Sequence, residues 1–408
     1  MKAIQFTTTI PRYLTGLAIR KIAPSLLWHG VSCTNMRKVD EPALPTPEWV
    51  RIRTRLGGIC GSDLGSIHLH SSPYFSPFSS SPFTLGHENV GTIAAVGADA
   101  QGWQIGERVI VEPTLWCRPR GFTEMCPACA RGEINRCQRT TDGDLAPGLF
   151  IGACRDTGGS WSSAFVAHPA QLVRVPSSIS DENALMVEPF ACGLHAVLQS
   201  FPGDNETVLV VGAGTIGLVT LAALRCLGSQ ARILVVARYP FQADAARQLG
   251  ADVVLQDGDL YADVAYETGA TLHKPIIGKQ VVVGGVDHTF ECVGLDATLD
   301  DALRLTRTGG KVSLVGVPAI TKNVDWSAIF LQELQLNAAY IYNHVEQITG
   351  RTWRTFDLAL NLIETGKVDL APLVTHRFVL DDYKQALKMH MNRRQYPIIK
   401  AVFDFRDS

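Results

Sequence analysis

The sequence predicts an α/β protein of two domains, one mostly β and one built on a doubly wound parallel sheet. Three observations carry this expectation. Before Pro176 the chain shows short β-periodic segments separated by glycines and turns, without long helical patterns between them. From Thr207 onward apolar strands alternate with helices, which means a parallel sheet. The length of 408 residues exceeds one ordinary core, at about 150 residues per domain.

Composition excludes several function classes. Lys plus Arg number 37 and Asp plus Glu 39, a net charge of −2, so no basic field is available to hold nucleic-acid backbones. Apolar residues make up 46% and charged residues 19%, the balance of a folded globule. No apolar run approaches the roughly 18 residues of a membrane span. Lys2, Arg12, Arg20 and Lys21 interrupt the start, and no signal-peptide cleavage pattern follows. Of ten cysteines, four cluster between 117 and 137 with metal-like spacing, which points to a reducing, cytoplasmic setting.

In chain order, residues 11–48 read as irregular, punctuated by Pro42, Pro45 and Pro47. The first clear strand spans 50–56, where Val50, Ile52 and Leu56 alternate with Arg51, Arg53 and Arg55; Gly57 and Gly58 are expected to end it. Further strands are expected at 89–96, 108–111 and 163–166. Ser180, Asp181 and Glu182 open a helix, and Pro189 starts another, with Glu188 at its head. Phe190, Leu194, Val197 and Leu198 give that second helix one apolar face. Strands at 208–211, 232–237 and 253–255 then alternate with helices at 215–227 and 241–249. Later strands are expected at 286–291, 311–315 and 334–339, then one helix at 352–365 and a final strand near 398–403. Residues 256–285 exceed what one connection needs and receive no assignment.

Gly212, Gly214 and Gly217 form GxGxxG directly after one predicted strand and at the mouth of the next helix, with Thr215 and Ile216 inside the turn. The first glycine permits the turn, the second lets a pyrophosphate approach the backbone, and the third lets helix and strand pack closely. The second strand of this unit selects the cofactor, because an acid at its end would bind a ribose 2′-hydroxyl and repel a 2′-phosphate. Here the strand ends in Val236, Ala237 and Arg238, so NADP(H) is favoured over NAD(H).

Cys60 lies in Gly58-Ile59-Cys60-Gly61-Ser62-Asp63, and Gly86-His87-Glu88 follows further on. Thiolate, imidazole and carboxylate make a reasonable zinc set with one position left for substrate. Taken singly they read equally as a buried thiol, a core histidine and a solvated acid. Cys117, Cys126, Cys129 and Cys137 would close a zinc tetrahedron with no open position. A disulfide pair or free thiols is the alternative there. Cys33, Cys154, Cys192, Cys226 and Cys292 read as packed thiols.

Cys60-Gly61-Ser62-Asp63, Gly86-His87-Glu88, the cysteine lobe, Glu188-Pro189, the glycine fingerprint and Val315-Gly316-Val317-Pro318 occur in the order seen in zinc-containing medium-chain dehydrogenases. From about residue 40 onward the chain resembles the threonine, sorbitol and glucose dehydrogenase branch of that family. The resemblance implies a GroES-like β-barrel catalytic domain from 1–180 and 341–408, with a structural zinc lobe at 112–140, around a Rossmann domain at 181–340. It implies that Cys60 and His87 bind a catalytic zinc, with Glu88 and Glu188 sharing the remaining site in an unresolved order. Asp63 would orient the histidine ligand, and Ser62 would take the substrate proton.

By the same resemblance the backbone around Cys292, Val293, Val315 and Val317 holds the nicotinamide, and the four-cysteine lobe holds a second zinc. Cys126, Cys129 and Cys137 keep the family spacing, whereas the stretch Arg118–Met125 displaces Cys117. Gly65 stands where the family usually carries a relay histidine; His68 and His70 lie close enough in sequence to substitute, and read equally as two exposed loop histidines with no role. The implied reaction is hydride transfer between NAD(P) and a secondary alcohol, polyol, sugar or hydroxy-amino acid, by a homo-oligomer, dimer or tetramer. Two rivals remain: a metal-free NADPH quinone or enoyl reductase on the same scaffold, and a non-enzymatic zinc-lobe interaction protein. The loop Ser66–Phe83, rich in Ser, Pro and Phe, is expected to line or cover the pocket.

Overall fold

A computed structural model describes residues 1–256 and 258–407. The chain divides into two compact units, one of Met1–Glu188 with Asn343–Ser408 and the other of Pro189–Tyr342. The first unit therefore takes in the helix Asp181–Leu185, which was expected in the second. Buried Asp181 explains this, because its carboxylate receives Arg55 Nε at 2.9 Å and Arg108 Nη1 at 3.2 Å from strands of the first unit.

The first unit is organised around a seven-stranded sheet. Along its main path the order is Val374–Phe378, Lys400–Asp404, Val50–Gly58, Asn89–Val96, Arg108–Val111 and Leu172–Arg174, and Ala164–Ala167 also pairs with Val50–Gly58. The strand Val50–Gly58 runs through the two glycines that were expected to end it. Both are needed inside the sheet, since a Cβ at Gly57 would strike the Ser160 carbonyl and one at Gly58 the Glu88 carboxylate. The two faces bury separate apolar clusters, one around Trp161, Phe403 and Ile59 and one around Phe165, Val50 and Ile151.

The segment read as irregular contains a helix, Ile10–Ile22, and a strand, Thr34–Lys38, paired antiparallel to Lys2–Phe6. Its signals were present in the sequence: Thr9 caps the helix and Pro11 fits its first turn. The prolines at 42, 45 and 47 punctuate only the link between Lys38 and the strand that begins at Val50. The C-terminal part likewise holds two α-helices, Thr355–Glu364 and Tyr383–Met391, where one was expected, and a hairpin of Glu346–Ile348 with Arg351–Trp353.

The second unit is a six-stranded parallel sheet ordered Val253–Leu255, Arg232–Val236, Thr207–Val211, Val286–Glu291, Thr306–Leu314 and Gln335–Ala338. The sequence order along the sheet is 3-2-1-4-5-6, the doubly wound arrangement of a dinucleotide-binding domain, with its switch point beside the strand Thr207–Val211. The unassigned stretch supplies a helix, Leu260–Thr268, closed by left-handed Gly269, and a hairpin of Thr271–His273 with Val281–Val283. No helix among the described residues is long and apolar enough to cross a membrane.

Candidate metal and cofactor sites

The first site forms where two chain segments meet at the end of the central strand. Cys60 ends the extended run from Gly58 and caps the helix Gly61–Ile67; its N–H donates to Asp63 Oδ2 at 3.0 Å. His87 and Glu88 precede the neighbouring strand. Gly86 has φ of +95°, and a Cβ there would collide with the Trp161 ring, so this turn requires glycine. Ligand atoms of Cys60, His87 and Glu88 all lie within 4.8 Å of one another. Asn89 fixes the turn by donating to the His87 carbonyl at 3.0 Å and to the Val111 carbonyl at 2.9 Å.

His87 turns Nδ1 toward Asp63 Oδ1 at 3.5 Å, a charge contact too long for a well-formed hydrogen bond. Burial disfavours an imidazolium here, yet the Asp63 carboxylate and the Cys60 sulfur outweigh it and hold the His87 pKa well above its usual range. The Asp63 carboxylate and the Cys60 sulfur thus lie side by side against this ring. Glu88, 1% exposed, is gripped by Lys400, whose Nζ lies 2.5 Å from Oε1 and 2.7 Å from Oε2 and also donates to the Ile59 carbonyl at 3.3 Å. Burial would discharge Lys400, but the Glu88 charge, with Cys60 and Glu188 near, keeps its pKa above the ordinary lysine value. Glu188, 7% exposed in the first turn of Val187–Gln199, is not gathered into the Cys60–His87–Glu88 group.

Ser62 lies in the first turn of the Gly61–Ile67 helix, half-buried. The two histidines offered in place of a relay differ in character. His68 packs edge-on against Trp28 with ring centroids 5.6 Å apart, and burial, with His70 beside it, lowers its pKa to about 4. It is therefore neutral near pH 7 and poor at passing protons there. His70 is the exposed member of the pair.

The four cysteines form the second cluster, with all their sulfurs within 4.8 Å of one another, Cys117 included. Backbone N–H groups of Cys126 and Arg139 point at the sulfurs of Cys117 and Cys137, at 3.4 Å and 3.5 Å. The inserted stretch that displaces Cys117 carries its own anchor. Arg120 is fully buried, and its guanidinium donates to the carbonyls of Leu115, Asp142, Leu145, Ala146 and Gly148 at 2.6 Å to 3.3 Å. The insertion is thereby fastened beneath the lobe, and Cys117 is returned to its partners.

In the second unit Gly212 has φ of +98° and leads from the strand Thr207–Val211 to the helix Thr215–Cys226. A Cβ at Gly217 would strike the Gly212 carbonyl, whereas the space beside Gly214 is open. This is the division of labour a pyrophosphate turn needs. Arg238 is exposed just past the second strand, its guanidinium carbon 5.5 Å from the Tyr239 ring centroid. Val293 and Gly294 pack against Val317 and Gly316, with Gly294 at φ of +79°.

The family profile "Alcohol dehydrogenase GroES-like domain" matches residues 46–177, and "Zinc-binding dehydrogenase" matches 215–363. The chain belongs to the zinc-containing medium-chain dehydrogenases. It is 30% identical to an L-idonate 5-dehydrogenase of Vitis vinifera, covering 90% of this chain and 91% of that protein. To a sorbitol dehydrogenase of Arabidopsis thaliana it is 31% identical, over 91% and 93%. A zinc-binding dehydrogenase of Sinorhizobium meliloti solved with NADP shares the fold, with a TM-score of 0.70 and 24% identity over 91% of this chain and 96% of that one.

The dehydrogenase is thus a zinc-type, nicotinamide-linked enzyme with a GroES-like domain and a Rossmann domain. Three residues escaped the sequence reading. Lys400 left the clearest signal, a lysine inside the apolar run Ile398 to Phe403. Arg120 left none beyond its place in the insertion. Glu112 directly follows the strand Arg108–Val111 with its carboxylate fully buried, 2.9 Å from His344 Nε2 and 2.6 Å from Arg354 Nη2, and nothing local marks that distant pairing.

Proposed function

We propose that this dehydrogenase oxidises a secondary alcohol or polyol, or runs the reverse reduction, at a zinc held by Cys60, His87 and a carboxylate. The carrying observation is the convergence of sulfur, imidazole and carboxylate donors from two segments on one point, a set that suits zinc. A zinc ion bound there would supply Lewis acidity toward the substrate oxygen, and a nicotinamide cofactor with its pyrophosphate on the Gly212–Gly217 turn would supply the hydride acceptor. Asp63 orients His87, leaving Nε2 for the metal. Ser62 accepts the substrate proton. Glu88 meets Lys400 through both oxygens, and Glu88 and Glu188 share the remaining metal position, one of them directly or through water.

The four cysteines hold a second, structural zinc, giving two per chain. Arg238 favours NADP(H) over NAD(H), because its guanidinium stands where an acid would bind a 2′-hydroxyl. The relatives named as idonate and sorbitol dehydrogenases point to a polyhydroxylated substrate. A cytoplasmic homo-oligomer completes the reading.

Metal analysis together with a panel of alcohols and aldoses, each offered with either cofactor, tests it. Two zincs and cofactor-dependent turnover are expected. Cys60→Ala should lose one zinc and at least about a thousandfold in turnover; a variant that kept full activity would end the metal reading. A chain with no zinc that reduces a quinone or enoyl double bond would favour the metal-free reductase. One zinc and no turnover would favour the interaction protein.

A further inference from the structure

Glu291 is wholly buried at the end of the strand Val286–Glu291, and both its backbone and its side chain are spent on the two loops beyond the sheet. Its carbonyl accepts the N–H groups of Val315 and Gly316, each at 2.8 Å. Its carboxylate accepts the N–H of Val293 at 3.1 Å through Oε1 and the N–H of Gly294 at 3.0 Å through each oxygen. One residue therefore holds 293–294 and 315–316 together. The fit is close, because a Cβ at Gly316 would press on the Val293 nitrogen and one at Gly212 on the Val293 side chain. The pyrophosphate turn and both loops meet at this point.

No cationic side chain pairs with Glu291 among the described residues. Burial holds its pKa above the usual carboxylate value, and the Thr298 hydroxyl and the N–H groups of Gly294 and Val293 offset only part of that rise. A carboxylate balanced only by backbone dipoles leaves net negative potential for whatever occupies the loops. The oxidised nicotinamide ring carries a positive charge and the reduced ring carries none.

We propose that Glu291 is a positioning residue that shapes the nicotinamide loops and biases the pocket toward the oxidised cofactor by supplying its counter-charge. The proposal rests on the reading of 292–294 and 315–317 as the nicotinamide site. It differs from a purely structural role in one respect. A structural anchor would change the affinity for both redox forms alike, whereas a counter-charge changes their ratio.

The test measures dissociation constants of the purified holoenzyme for NADP⁺ and NADPH, and for NAD⁺ and NADH, by calorimetry and by fluorescence of the reduced form. In Glu291→Gln the oxidised form should weaken about tenfold relative to the reduced form, the scale of one unit charge at partly screened range. An unchanged ratio, whether or not both affinities fall, overturns the proposal. Glu291→Asp keeps the charge and shortens its reach, and serves also if the glutamine variant does not fold. It should weaken both forms while holding the ratio within about twofold, and a ratio shifted about tenfold there would equally overturn it. Failure of the underlying reading looks different: the wild-type protein would bind neither redox form.

Discussion

The two cysteine-bearing clusters of the catalytic unit solve opposite problems. The four-cysteine lobe draws every donor from one stretch of 21 residues, Cys117 to Cys137, and encloses its centre with sulfur on all sides. The Cys60–His87–Glu88 group draws donors from two segments and adds a buried lysine from a third, the strand Lys400–Asp404. A closed set of thiolates leaves a metal nothing further to bind and is suited to holding chain together. A mixed set with a carboxylate already engaged by an ammonium leaves coordination unfilled, which is what catalysis at the metal needs. Openness has a cost: buried charges must be balanced by protein groups whose removal is severe.

The largest expected effect follows from that balance. In Lys400→Met the Glu88 carboxylate stays buried without its cation, and unfolding stability of the metal-free protein should fall by about 3–5 kcal/mol. Zinc should then restore more stability to the variant than to the wild type, because the ion offers Glu88 a replacement charge. Chemical denaturation with and without a chelator measures both. Equal zinc-dependent gains in the two proteins would show that Lys400 and the metal do not compete for this carboxylate.

The lobe should break differently. Arg120→Met removes the donors to five carbonyls while leaving all four cysteines in place, and it should cost about 3 kcal/mol. The loss should appear as release of one zinc, read by a chromophoric chelator, with the other zinc retained. Release of both ions together would mean that the two centres are not independent. A lobe that kept its zinc would mean that the insertion is held by something other than Arg120.

The same contrast explains what could be read from sequence. Donors confined to one stretch announce themselves by spacing, and even the displaced Cys117 was assigned with its partners. Cys60 and His87 were legible because each sits in a short glycine-bearing motif whose glycines have steric reasons, Gly58 beside the Glu88 carboxylate and Gly86 against Trp161. The parallel sheet was legible because its strands are apolar on both faces and alternate with helices. Lys400, Arg120 and Glu112 were not, because each acts through partners far along the chain: Lys400 is 312 residues from Glu88, and Glu112 is 242 from Arg354. The Ile10–Ile22 helix had a cap and a first-turn proline, signals that were passed over because the prolines at 42, 45 and 47 led the whole stretch to be read as irregular.

A gentler change tests whether the lobe is also tied to the returning C-terminal segment. The N–H of His344 donates to the Gly132 carbonyl at 3.0 Å, and the His344 ring and Arg354 both hold Glu112. Burial raises the Glu112 pKa, but the Arg354 charge and the His344 ring outweigh it and leave the pKa below the usual value. A carboxylate with a depressed folded pKa contributes stability in full above its unfolded value of about 4.3, and that contribution is lost as pH falls through the lower folded value. Glu112→Gln should therefore cost about 1–2 kcal/mol at pH 7. The difference from wild type should hold steady down to about pH 5 and shrink below about pH 4. Urea unfolding across that range measures it. A difference that instead grew with acidity would mean that the protonated acid, and not the carboxylate, is the species His344 and Arg354 hold.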